Sequence, residues 1–158
     1  MTHVPNPAPM ARVIPIHHPS RSGWQGDLLG YLGSNPRHLA WLIDRPVIRH
    51  FVDEVLIAQM IHDRAEEVAI YHSPWRFEID FRLEGRRHRV QVPNHRWAMP
   101  ILLRLRQRAG MDLSNAVSWQ VGEFPLGDES VVNVWFYPNA RSERLVLRPR
   151  NVRLRGVA

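Results

Sequence analysis

The chain has 158 residues, 44% of them hydrophobic, which suits one globular domain with its own core and excludes a disordered polymer. All of its 21 basic residues are arginine and they outnumber 15 acidic ones, giving a net charge of +6, while cysteine is absent; disulfides, thiolate metal sites, iron–sulfur clusters and thiol nucleophiles are thereby excluded. Without lysine there can be no G-x-x-x-x-G-K-[ST] loop, in which backbone N–H groups and a lysine cradle a polyphosphate.

Residues 1–23 contain Pro5, Pro7, Pro9, Pro15 and Pro19 without periodicity and read as a flexible leader. No apolar run there or elsewhere approaches the ~18 residues of a spanning helix, and the leader lacks the apolar stretch of a secretory signal. A cytoplasmic protein is the expectation. Residues 24–45 form a short helical lead-in, with Asn35 as a cap, Pro36 at the first helical position, and Trp41 and Leu42 packing it onto the body.

Pro46 opens an amphipathic helix that ends near Arg64, with Val47, Ile48, Phe51, Val52, Val55 and Leu56 at helical spacing. A short strand follows at Val68–Tyr71. Trp75, Phe77, Ile79, Phe81 and Leu83 then alternate with charged residues, which predicts a strand with one buried and one polar face. Gly85 turns it into a second strand, Arg87–Val92, as a hairpin. A helix spans Trp97 to Ala109, with Gly110 as its stop. Three more strands are predicted at Val117–Phe124, Val131–Tyr137 and Arg144–Arg148. Residues 46–150 thus form an α+β domain around an antiparallel sheet, and 151–158 a basic tail.

This order of elements, and several of its motifs, resembles the domain just before the motor in bacterial type II secretion and type IV pilus assembly ATPases. The run from Pro46 to Ile61 is similar to that family's opening helix. Ile79-Asp80-Phe81-Arg82-Leu83-Glu84-Gly85 is similar to its V-R-x-R-[IVL]-D-G, and Arg104 through Leu113 to its R-[LI]-K-x-[ML]-A-x-[LM]-D-[IL]. Ser142-Glu143-Arg144-Leu145-Val146-Leu147-Arg148 is similar to its closing G-E-R-[VL]-V-[LI]-R. The resemblance implies a PAS-like fold. It also implies a protein-interaction domain serving a pilus or secretion apparatus, bound to the motor ATPase or another component and at most peripheral to an inner-membrane complex.

The departures concern charge. After the family's D-I come arginines held to approach nucleotide, in E-R-R-x-P-Q-D-G-R. Here Gln120 and Gly122 remain, every arginine is gone, and Glu123 stands where one would be; a carboxylate repels a polyphosphate. Ala69 and Tyr71 replace the first strand's His and Glu, and Asp80 replaces an arginine. A domain that folds without serving a nucleotide site is expected, with no catalytic residue.

The candidate partner-binding residues are Arg82, Arg86, Arg87, Arg104 and Arg108. Arg82 either meets a partner's phosphate or acidic group or pairs across strands, with Glu78 or near Glu84. A second reading is a nucleic-acid binder using Arg86, Arg87, Arg89, Arg104 and Arg108, and a third a PAS-like sensor of a small ligand. The histidines, His17-His18 and His88/His95 included, show no metal-ligand spacing, so neither metal nor cofactor is expected. His72 and His88 read as surface residues, and Glu66, Glu67, Glu78 and Asp80 as solvated charge. Trp119, Trp135 and Phe136 are either core or an exposed binding patch.

Overall fold

A computed structural model describes residues 41–90 and 92–151; the leader, the helix expected at Asn35 and the tail beyond Asn151 lie outside them. Residues 41–43 are helical, and Pro46 then opens a longer helix, α1, built of Pro46–Arg49, a π-helical His50–Leu56 and Ile57–His62. Ile48, Val52, Leu56 and Met60 are all buried at four-residue spacing. On a pure α-helix such a stripe drifts around the axis, and a wider-pitched stretch brings it back toward one line.

Three strands follow α1: β1 (Glu67–Ser73), β2 (Arg76–Leu83) and β3 (Arg86–Val90). A two-residue turn joins β2 to β3 with Glu84 and Gly85 both at positive φ, 49° and 74°, the backbone that matches strand twist in a tight hairpin. A 3₁₀ turn, His95–Trp97, capped by the Asn94 side chain, leads into α2 (Ala98–Arg108). A meander of β4 (Gln120–Leu126), β5 (Ser130–Pro138) and β6 (Glu143–Asn151) completes the described chain. The six strands form one sheet of order β3-β2-β1-β6-β5-β4, antiparallel throughout. The domain is therefore a mixed α+β fold.

Period-two alternation puts Phe77, Ile79 and Phe81 of β2, Val132, Val134 and Phe136 of β5, and Leu145 and Leu147 of β6 on one face. There they share a core with the buried sides of α1 and α2. Three expectations need correction. Trp75 is not on that face but 79% exposed, in the turn between β1 and β2. Trp41 is exposed and only Leu42 of the pair is buried. Val117 does not begin a strand: the Asn115 side chain accepts the N–H groups of Val117 and Ser118, which holds that stretch as a loop until Gln120.

Candidate functional site

The helices cover one face of the sheet, and among the described residues nothing covers the other. Strand register sets out that open face in rows. In the first, Arg87 faces Arg82 and Arg82 faces Glu67; Glu67 reaches Arg148, which faces Asn133, and Asn133 faces Glu123. In the second, Arg89 faces Asp80, Asp80 faces Ala69, Ala69 faces Val146, Val146 faces Trp135 and Trp135 faces Val121. In the third, Glu78 faces Tyr71, Tyr71 faces Arg144 and Arg144 faces Tyr137, on which Trp119 stacks with ring centroids 6.1 Å apart.

The two halves of this face differ in character. Toward β2 and β3 the charges are closed on one another: Arg89 reaches Asp80 at 2.9 Å and Glu78 at 2.9 Å, and Arg76 reaches Glu78 at 2.6 Å. Toward β5 and β6 apolar and aromatic side chains stand among the arginines of β6, and here lies a depression of about 360 Å³ lined by Glu67, Trp135, Tyr137, Arg144, Val146 and Arg148.

Small residues at adjacent central positions, Ala69 on β1 and Val146 on β6, explain the hollow. Larger neighbours on β5 form one wall and arginines on β6 the other. Glu67 was expected to be solvated, but only 8% of it is exposed. It is buried because it begins the central strand β1, beneath two arginines. Arg148 donates to its Oε2 from Nε at 2.8 Å and lies 2.7 Å from it through Nη2, while Arg144 stands 4.0 Å from Oε1. The Arg148 guanidinium also sits 5.3 Å from the Trp135 ring centroid, a cation–π distance. About half of each arginine side chain stays open to solvent.

The residues singled out from the sequence do not converge. Arg82 and Arg87 lie side by side on the open face, and Arg82 pairs with Glu66 at 3.6 Å rather than with Glu78 or near Glu84. The Glu66 carboxylate also accepts the N–H of Gly85 and so ties α1's exit to the hairpin turn. Arg86 is exposed beside that turn. Arg104 and Arg108 belong to the helical layer instead. Their guanidiniums close on the two oxygens of Asp53 at 2.8 and 2.7 Å, Arg104 also reaches Asp44 at 3.1 Å, and Arg108 lies over Phe124. These contacts bind α2 to α1.

His72 is not a plain surface residue. It is only 15% exposed and its Nδ1 lies 3.0 Å from the Glu143 carboxylate, with the His95 ring edge-on at 5.2 Å. Of the aromatic trio, Phe136 is core while Trp119 and Trp135 face outward. Among the described residues no group of three His, Asp or Glu side chains is arranged to hold a metal ion, and no helix is long and apolar enough to cross a membrane.

Gln120 has structural work here. Gln120 accepts the Asp112 N–H at 2.9 Å and donates to the carbonyls of Asp112 and Asn115. Arg106, 3% exposed, donates to the same two carbonyls and lies 3.9 Å from the Phe136 ring centroid. Burial pulls its guanidinium below the ordinary arginine value, with Glu143 and Asp112 opposing that shift. Together these groups fasten the loop that leads to Trp119. No protein-family model matches the chain, and no curated protein sequence matches it.

Proposed function

We propose that this chain is a non-catalytic protein-interaction domain that docks a partner through the open face of its sheet. The partner is the motor ATPase or another component of a type IV pilus or type II secretion apparatus. The observation that carries the docking reading is the exposed Trp119 and Tyr137 and the half-buried, outward-facing Trp135 beside Arg144 and Arg148. Trp, Tyr and Arg are the side chains that dominate binding energy at protein interfaces. The choice of apparatus rests on the motif resemblance alone, and the PAS-like reading of the sheet belongs to the same proposal.

The direct test is size-exclusion chromatography of the chain with a purified motor ATPase and other apparatus proteins from the same genome. Co-elution that Trp135→Ala abolishes is the expected result. A folded chain that retains no apparatus component sinks the reading. The same aromatic and arginine composition also favours a second reading, a platform for single-stranded nucleic acid. That reading requires oligonucleotide binding that falls steeply as salt rises.

A further inference from the structure

We infer that the partner presents an acidic segment to this face. One of its carboxylates sits between Arg144 and Arg148, and an apolar side chain rests on the Val146 floor against Trp135. This inference rests on the docking reading above and adds the chemistry of what docks.

The charge arrangement is the first reason. Glu67 is one carboxylate beneath two guanidiniums. It holds Arg148 at 2.7 Å and Arg144 at 4.0 Å, so the pair keeps one positive charge uncompensated at the lip of the hollow. Because Glu67 is buried, it fixes where the Arg148 guanidinium stands, with Arg144 alongside, and their solvent-facing N–H groups remain for a ligand. An incoming carboxylate would meet prepositioned donors with little ordering cost.

The second reason is what the other occupants would bring. Residues 1–40 carry Arg12, Arg21 and Arg37 against Asp27, and residues 152–158 carry Arg153 and Arg155 with no acid. These two segments therefore have the wrong sign for this hollow. A second copy packed face to face through a two-fold axis would set the same arginines against one another. A polyphosphate backbone longer than the hollow would run on over Glu123 on one side and Glu78 and Asp80 on the other, where Arg150 and Arg89 are already engaged by those carboxylates. An acidic protein segment needs only the hollow and its apolar border.

The experiment is fluorescence anisotropy on the full chain. The probe is a fluorescein-labelled decapeptide rich in glutamate with two phenylalanines, measured beside an analogue with glutamine for glutamate and a thymidine oligonucleotide. The variants are Arg144→Glu, Arg148→Gln and Trp135→Ala, with Arg49→Glu on α1 and Arg141→Glu, both exposed, as charge-matched changes outside the hollow. Circular dichroism keeps folded variants only; Arg144→Glu, the more weakly tied to Glu67, serves if Arg148→Gln unfolds.

The acidic peptide should bind and its affinity fall about tenfold with Arg144→Glu, as for loss of one close charge contact. The outer variants should change it less than twofold, and the glutamine analogue should bind at least tenfold more weakly. Equal losses from the outer and inner charge changes would overturn the inference, because binding would then follow net charge. Equal binding of the glutamine analogue would also overturn it. If the oligonucleotide binds tighter through the same residues, both the inference and the docking reading fall. If the peptide fails while an apparatus protein still co-elutes in a Trp135-dependent way, only the acidic chemistry is overturned. A dimer that Trp135→Ala dissociates would assign the face to a second copy and overturn the inference too.

Discussion

Arg64 and Gly110 occupy the same position in two copies of one motif. At the end of α2, Gly110 (φ 69°) donates to the Gln107 carbonyl at 3.0 Å and Met111 to that of Arg106 at 3.0 Å. At the end of α1, Arg64 (φ 53°) donates to Ile61 at 3.1 Å and Ala65 to Met60 at 2.9 Å. Both are the paired closure that satisfies a helix's last carbonyls around a left-handed residue, followed by a buried apolar one. Glycine adopts that backbone freely, whereas a residue with a Cβ bears about 1–2 kcal/mol of strain. Glycine's larger entropy loss on folding offsets roughly 0.5–1 kcal/mol of the difference. Arg64→Gly should therefore stabilise the protein by about 0.5–1 kcal/mol, and Gly110→Arg should cost about as much, both read from urea denaturation midpoints at constant m. A destabilised Arg64→Gly would mean that the arginine side chain holds something its exposure hides.

At the scale of elements, the join between α2 and β4 decides where the aromatic half of the open face sits. A Cβ placed on Gly122 would collide with the Ala109 carbonyl oxygen, so β4 can approach the end of α2 only with glycine there. Gly122→Ala forces the two apart, and overpacking of this kind costs about 1–3 kcal/mol. The expected readout is a lower denaturation midpoint together with altered Trp119 fluorescence, as the loop pinned by Gln120 and Arg106 shifts with the strand. An alanine variant with unchanged stability would show that the junction yields easily. The closeness of this junction was not legible in the sequence, because it depends on how β4 packs against the end of α2. The alternation of Phe77, Ile79 and Phe81 was legible outright, since a strand with one buried face repeats every two residues. The burial of Glu67 was not legible: it follows from β1 lying in the centre of the sheet beside β6, a pairing between distant segments that local patterns do not encode. The separation of Arg104 and Arg108 from Arg82 and Arg87 was hidden for the same reason, because it depends on which layer each element joins.

At the scale of the whole molecule, the sheet is two locally connected parts joined by one long-range seam. β1, β2 and β3 follow each other in the chain and pair as a meander, as do β4, β5 and β6; β1 against β6 closes the domain, with Val68 opposite Leu147 and Ile70 opposite Leu145. These four side chains are fully buried, so the seam is also the middle of the core. The proposed docking hollow straddles that seam, with Glu67 from β1 beneath arginines from β6. The hollow thus forms only with complete folding, because neither part alone assembles it. Native-state hydrogen exchange tests this. Central amides of β1 and β6 should exchange only by global unfolding, while those of the edge strands β3 and β4 open at lower free energy. Leu147→Ala, which removes a buried side chain at the seam, should lower global stability by about 2–5 kcal/mol. It should reduce protection in both parts together. If β2 and β3 kept their protection while β5 and β6 lost theirs, the two parts would be separate cooperative units, and the hollow would have to form after each had folded.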